Sequence, residues 1–365
     1  MNIPVEIDTP EIIIDRDVLQ RNIDRMATAV RAKGLHLRPH VKTHKVPEIA
    51  EMQLTAGAVG LTVATLGEAE VFAGHGAKDI FIAYPLWVGP RQAERLQRLA
   101  AKARIAVGLD SGEAAQTMAA SLGDAVGEIE VLLEIDSGHH RSGISPNAAV
   151  EVAQAAARAG LRVTGIFTFP GHSYAPGMPL KAADEERLAL GETAGLLTAA
   201  GFQITHRSGG STPTVALTGT SGATEVRPGV YVFGDAQQLE LERCAAGDIA
   251  LTIAATVVSR HEGTDLIPRR VILDSGSKIL GGDRPGWTTG FGRLLDHPEA
   301  RITALSEHHA TVVWPAEATL PALGERLRVV PNHVCLAMNL VDEVTVISGG
   351  EIVDRWRVAA RGRNK

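Results

Sequence analysis

RIAVGLDSGEAAQTMAASLGDAVGEIEVLLEID, residues 104–136, holds the fold in miniature. An apolar run of strand length, RIAVGLD, gives way to an alanine-rich helical pattern, GEAAQTMAASLG, and then to a second apolar run, EIEVLLEID. Strands separated by helices point to a parallel sheet. The same alternation extends in both directions. Upstream lie LHLRPHV, then GAVGLTVAT with helical LGEAEVFAGHG, then DIFIAYP with a helix through RQAERLQRLAAKA. Downstream lie helical AAVEVAQAAARAG, the run LRVTGIFTF, helical EERLALGETAGLLTAAG, and the shorter runs FQITHRS and ATEVRPG. About eight β/α units over somewhat more than 200 residues fit an α/β chain with a TIM-like (β/α)8 barrel. A doubly wound open sheet is the weaker alternative.

Beyond about residue 245 the texture changes. DIALTIAATVVSR, RRVILDSG, HATVVWP, ERLRVVP, DEVTVISGG and EIVDRWRV are β-branched and alternating, and helical patterns nearly vanish. This reads as a mostly antiparallel β domain. The expected division is a barrel over residues 16–245 and a β domain over 246–365, which the N-terminal segment 1–15, with the strand-like start of EIIIDRDV, joins.

Composition narrows the function classes. The chain has 365 residues, 45% of them hydrophobic, and a formal net charge of −6 with acids and bases mixed along its length. Without a long basic run or a basic-aromatic patch, nucleic acid is not an expected partner. MNIPVEIDTP lacks the charged and apolar regions of a signal peptide. No apolar run reaches the roughly 18 residues of a membrane span, so no membrane partner is expected. Two cysteines, Cys244 and Cys335, make no disulfide framework, and the simplest compartment is the reducing cytoplasm.

In a barrel of this kind catalytic groups sit at the C-terminal ends of the strands. The first run ends in RPHVKTHK, residues 38–45, with Lys42 between His40 and His44. The fifth ends in DSGHHRSG with Arg141, and the sixth in FPGHSYAPG with His172 and Tyr174. The seventh ends in SGGSTPT, and the eighth leads into RPGVYVFGD with Tyr231 and Asp235. All would ring one face. Small residues at Gly209, Gly210, Ser211 and Thr212 let backbone N–H groups approach an anion, and loops after the last barrel strands are a common phosphate site; a plain turn is the other reading. An amine that is desolvated and flanked by cations has a lowered pKa and becomes nucleophilic, able to form a Schiff base. Lys42 facing a phosphate cradle therefore suggests pyridoxal 5'-phosphate (PLP). The alternative is a solvated strand end with Arg38, His40, Lys42, His44 and Lys45 on alternating faces. Near the C-terminus, in PNHVCLAMNL, His333 and Cys335 stand two apart on a strand-like segment and would share a face. Imidazole plus thiolate is a zinc-like ligand pair with positions left open, as a catalytic ion needs. A buried thiol beside a hydrogen-bonded histidine is the competing reading.

Taken together and in order, RPHVKTHK, GHSYAP, SGGSTPT, EVRPGVYVFGD and PNHVC resemble the D-serine dehydratase / D-threonine aldolase family of PLP enzymes, with an alanine-racemase-like barrel. The resemblance spans nearly the whole chain. It implies a homodimer whose active site lies near the interface, with a D-amino acid as the small-molecule substrate. It implies that Lys42 holds PLP and, once freed, removes the α-proton. Arg141 and His40 would contact or flank the cofactor, and His172 and Tyr174 would line the ring and substrate side. Gly209, Gly210, Ser211 and Thr212 would hold the phosphate with Tyr231 beside them, and His333 and Cys335 would hold a divalent metal, Zn2+ by the thiolate's preference.

Family aldolases resemble His-x-Asp at the metal pair and dehydratases His-x-Cys, so His333-Val334-Cys335 implies a D-serine/D-threonine dehydratase giving a 2-oxo acid and ammonia. Leu336 departs from the Pro expected there, and GGDRPGWTTGFG, residues 281–292, matches no assignable pattern. The alternative is retro-aldol cleavage to glycine and an aldehyde, with His172 or metal-bound water as base. A racemase would need a second acid/base, usually a Tyr of the β domain, yet the only tyrosines are Tyr84, Tyr174 and Tyr231. A non-catalytic PLP carrier would resemble the barrel alone. His308 or His309 would approach the metal or form a polar strand end, Asp274 would orient a site residue or a turn, and the four tryptophans are expected to pack.

Overall fold

The computed structural model describes residues 3–365. It forms two compact units. One comprises Asp24–Lys42, Pro47–Gly229 and Gly362–Lys365; the other comprises the described residues through Ile23, Thr43–Val46 and Val230–Arg361. The changeover therefore falls at Val230, ahead of the texture change at 245.

The strands, in chain order, are β1 (Glu11–Asp15), β2 (His36–Leu37), β3 (Leu61–Val63), β4 (Asp79–Pro85), β5 (Arg104–Leu109), β6 (Ile129–Glu134), β7 (Arg162–Phe167), β8 (His206–Gly209) and β9 (Glu225–Val226). After them come β10 (Leu251–His261), β11 (Arg270–Leu273), β12 (Gly292–Leu294), β13 (Arg301–Leu305), β14 (Ala310–Val313), β15 (Arg326–Pro331), β16 (Glu343–Ser348) and β17 (Glu351–Arg357). The longer helices are α1 (Arg16–Ala32), α2 (Pro47–Thr55), α3 (Leu66–Gly74), α4 (Pro90–Ala100), α5 (Gly112–Leu122), α6 (Ala149–Arg158) and α7 (Pro179–Ala199). Among the described residues no helix is long and apolar enough to cross a membrane.

In the first unit eight strands pair in parallel in the order β2-β9-β8-β7-β6-β5-β4-β3. The ends meet through a parallel bridge between His40 and Thr62 and through the Thr62 N–H donating to the Pro39 carbonyl at 2.9 Å. This is the expected barrel. Phe81, Ala106, Leu132 and Phe167 fill its centre, one from each of β4 to β7. The opposite end is plugged by charge. Arg38 pairs with Glu225 (3.0 Å) and Asp79 (2.5 Å); Arg104 pairs with Asp79 (2.8 Å) and Glu130 (2.5 Å); Arg162 pairs with Glu130 (2.8 Å). Burial pushes the Asp79 and Glu130 carboxyls up, but the guanidinium groups win and hold both below the ordinary range.

The second unit is mainly antiparallel, in the order β13-β14-β11-β10-β1-β16-β17, with β15 pairing to β10 and β12. The N-terminal strand joins it as expected: β1 runs antiparallel to β10 and parallel to β16. Ile7, Ile13, Ala254 and Ile347 pack together there.

Candidate active site

The RPHVKTHK stretch does not end in a long strand. β2 stops at Leu37, and Lys42 rides a single 3-10 turn, Val41–Thr43. Pro39 accounts for part of this, since it has no N–H to extend the ladder. The solvated reading is overturned: Arg38, His44 and Lys45 are all buried. Arg38 belongs to the charge plug, and in the β unit Lys45 donates to the Asn339 side chain at 2.8 Å.

In the barrel unit the Lys42 ammonium lies 5.7 Å from the centre of the Phe169 ring, and the Arg141 guanidinium 5.2 Å from the same ring. Burial, and then the charges of Lys42, Arg227 and Arg141, hold His40 well below its ordinary pKa, so it is neutral at pH 7. Its buried Nδ1 has no hydrogen-bond partner. Arg227 is buried against the Phe81 and Phe167 rings, 5.7 and 5.4 Å from their centres, and its Nε is also unpartnered. Three cations thus converge on an uncharged imidazole, a setting that attracts an anion. Glu134 lies 3.9 Å from Arg141, and burial raises its carboxyl.

His172 sits on the one-turn segment Gly171–Ser173, with Nε2 2.9 Å from Glu185 Oε2 of α7. Its ring stacks on His139 at 6.4 Å, and Tyr174 packs on Phe169 at 6.3 Å. The loop after β8 is held from behind. The Gly210 N–H donates to Glu186 Oε1 of α7 (2.6 Å), the Ser211 N–H to Thr214 Oγ1 (2.9 Å), and Ser211 Oγ lies 3.0 Å from Ser173 Oγ. Gly210 has φ +74°, and a Cβ there would lie 2.9 Å from Val226, so only glycine suits the turn. Two of the amides that the sequence offered to an anion are therefore spent on shaping the loop. Tyr231 is buried on the turn Val230–Val232 of the other unit.

The metal pair is likewise not on a strand. β15 ends at Pro331, His333 caps the short helix α8 (Val334–Met338), and Cys335 lies within it. Alternation fails because Asn332 turns the chain, donating to the carbonyls of Asp283 (2.9 Å) and Gly290 (2.8 Å). Imidazole and thiol still meet, and they are hydrogen-bonded. Burial pulls the His333 pKa down, but Cys335 and Asp283 lift it well above its ordinary value. Asp283 Oδ2 sits 2.8 Å from His333 Nδ1, and Cys335 Sγ is 3.4 Å from Thr43 Oγ1. The unassigned stretch GGDRPGWTTGFG thus supplies the carboxylate behind His333.

Both implied groups fit their residues. In the barrel unit, a lysine amine, converging cations and orphaned buried nitrogens suit a phosphorylated aldehyde. In the β unit, an imidazole oriented by a carboxylate, next to a thiol, suits a divalent ion with open positions. Among the described residues, no group of three His, Cys, Asp or Glu side chains could enclose one.

Other expectations resolve plainly. His308 and His309 are exposed at the turn between β13 and β14. Asp274 accepts from the Thr256 N–H (2.8 Å) and the Thr9 hydroxyl (2.6 Å), a structural role. Trp314 and Trp356 are packed, but Trp87 is 59% exposed. Sequence reasoning missed Phe169, Glu185, Glu186 and Arg227. The glutamates open the helical run EERLALGETAGLLTAAG, and Arg227 lies within EVRPGVYVFGD, with no sequence signal that separates them from ordinary helix and motif charges.

The family profile of the alanine racemase N-terminal domain matches residues 14–237. The chain belongs to this family. A second profile, described as a putative serine dehydratase domain, matches residues 250–347 of this alanine-racemase-type chain. The D-threo-3-hydroxyaspartate dehydratase of Delftia sp. is 38% identical over 90% of this chain and 91% of its own. Its solved structure superposes with a TM-score of 0.87, covering 98% of this chain and 99% of that one at 33% identity. The D-threonine aldolase of Arthrobacter sp. is 31% identical over 98% of this chain and 93% of its own. The D-serine dehydratase of Dictyostelium discoideum is 29% identical over 96% of each.

Proposed function

We propose that this chain is a lyase for D-3-hydroxy amino acids, dependent on PLP and a divalent metal, and that it acts as a dehydratase releasing a 2-oxo acid and ammonia. The observation that carries this reading is the His333–Cys335 pair with Asp283 on the imidazole. A thiolate in that pair favours zinc. Relatives named as dehydratases and as an aldolase, similar over nearly their whole length, support the lyase class.

When bound, PLP supplies an electrophilic carbon for amines and a sink for the charge left at Cα, and the metal supplies Lewis acidity toward a 3-hydroxyl. Lys42 would hold the cofactor and, once displaced, would take the Cα proton. The neighbouring cations Arg141 and Arg227 would stabilise negative charge near it, while His40 stays neutral and adds none. Tyr174, Tyr231 and the Gly209–Thr212 loop would position the cofactor and its phosphate. Asp283 would fix the orientation of the His333 ring, and His333 and Cys335 would hold the ion. We further propose a cytoplasmic homodimer.

The aldolase reading has its own observation: His172 is oriented by Glu185 and keeps a buried, unpartnered Nδ1, as a base for the hydroxyl proton requires. Incubating the PLP- and zinc-loaded protein with D-threonine separates the two. 2-Oxobutanoate with ammonia is expected. Glycine with acetaldehyde would make it an aldolase.

A further inference from the structure

α7 carries two adjacent glutamates that serve two different loops. Glu185 reaches His172, while Glu186 turns inward to the loop after β8. Glu186 is 1% exposed. Its Oε1 accepts the Gly210 N–H at 2.6 Å, and its Oε2 is buried with no hydrogen-bond partner. The contact is close-packed, since a Cβ on Gly209 would collide with the Glu186 carboxyl. The loop is therefore braced on a carboxyl group lying directly behind the backbone proposed to receive a phosphate.

Resting on that reading of the loop, we propose that Glu186 is a positioning residue that holds the phosphate loop through the Gly210 amide and takes up a proton when a phosphate dianion binds there. The coupling between Glu186 and the bound phosphate is electrostatic. A dianion brought to the Gly209–Thr212 loop repels a carboxylate buried behind it, and protein between them screens poorly. Protonation removes the repulsion and keeps the brace, because a neutral carboxyl still accepts the Gly210 N–H through its carbonyl oxygen. The facing charges allow this. Arg227, following β9, is the cation that favours the ionised form, and it is shared with Glu225 and Glu134. On α7 itself Asp184 pairs with Arg187, and Glu185 is engaged with His172. Burial outweighs the Gly210 N–H bond and the charge of Arg227 and raises Glu186 to about 7, so the group is ready to change state near neutrality.

The magnitude follows. A carboxyl titrating near 7 that must be protonated for binding weakens affinity about tenfold between pH 6 and pH 8. The probe is 4'-deoxypyridoxine 5'-phosphate, which has no aldehyde and so leaves Lys42 chemistry out of the measurement. Its binding to apoprotein is measured by calorimetry at both pH values, for wild type and for Glu186→Gln, which keeps the acceptor and cannot ionise. The ratio of the two affinities is expected to shift about tenfold between the pH values, in favour of Gln at pH 8; titrations of ligand and other residues cancel in the ratio. At pH 8, in buffers of different ionisation enthalpy, wild type is expected to take up close to one more proton per ligand than the variant. A ratio that stays flat with pH, or equal proton uptake, overturns the inference. Failure of both proteins to bind the probe would instead overturn the phosphate-loop assignment. If the variant does not fold, proton uptake by wild type alone decides: none at pH 8 refutes the role of Glu186.

Discussion

Replacing Arg38 by Met tests whether the charge plug is structural. Arg38 is 4% exposed and Glu225 is 3% exposed. Without the guanidinium, Asp79 keeps Arg104 at 2.8 Å, but Glu225 loses its paired cation and keeps the Ser208 hydroxyl at 2.6 Å and the charge of Arg227, which it shares with Glu134 and Glu186. The loss therefore falls on one buried carboxylate. Breaking a buried pair from one side costs roughly 3–5 kcal/mol, most of it the penalty of leaving the other charge unpaired. Two consequences separate this from simple loss of packing. Adding Glu225→Gln removes the stranded charge, so the double variant should be more stable than Arg38→Met alone by about 1 kcal/mol or more. The defect of the single variant should also shrink at lower pH, where Glu225 escapes by taking up a proton. Urea unfolding followed by tryptophan fluorescence at pH 7.5 and 5.5 measures all of these. A single variant within about 1 kcal/mol of wild type, or a double variant less stable than the single, would show that loss of Arg38 strands no buried charge at Glu225.

Asp283→Asn should weaken zinc binding about 10- to 100-fold, measured by competition with a chromophoric chelator, because the His333 ring loses the carboxylate that orients it. Asp283 is half-exposed, which favours the lower end. Acid should loosen the barrel in a defined direction. Asp79 and Glu130 are held below their ordinary values of 3.8 and 4.5, so their stabilisation is complete above those values and is lost as pH falls through the lower folded ones. The melting temperature of Glu130→Gln should accordingly fall less than that of wild type between pH 5 and pH 3, and an identical fall would refute the assignment.

The barrel and the β domain were legible because their signals are periodic. DIFIAYP and RIAVGLD coincide with β4 and β5 almost residue for residue. The strands β2 and β9 are shorter than their runs, which carry prolines and polar residues that leave the ladder early, and β8 begins only at His206, late in FQITHRS. Lys42, His172 and the SGGST loop stand out in the sequence by residue type and by position at the ends of apolar runs. The groups behind them do not. Glu186 looks like any charged helix residue until burial is known, and Asp283 stands 50 residues from the imidazole it holds. Arg38 shows the opposite error: a basic residue inside a chemical motif belongs to the barrel's structural end.

The pairing of β1 has a consequence in time. Its neighbours are β10, which begins at Leu251, and β16, which begins at Glu343. At roughly 5–20 residues per second of synthesis, the isoleucine triplet Ile12-Ile13-Ile14 waits on the order of ten seconds to a minute before either neighbour emerges. Through that interval a nascent chain carries an apolar strand with both edges open, the kind of segment that other nascent chains can capture. Slow translation should therefore lower the soluble yield of this protein, and a chaperone that holds the first fifteen residues should restore it.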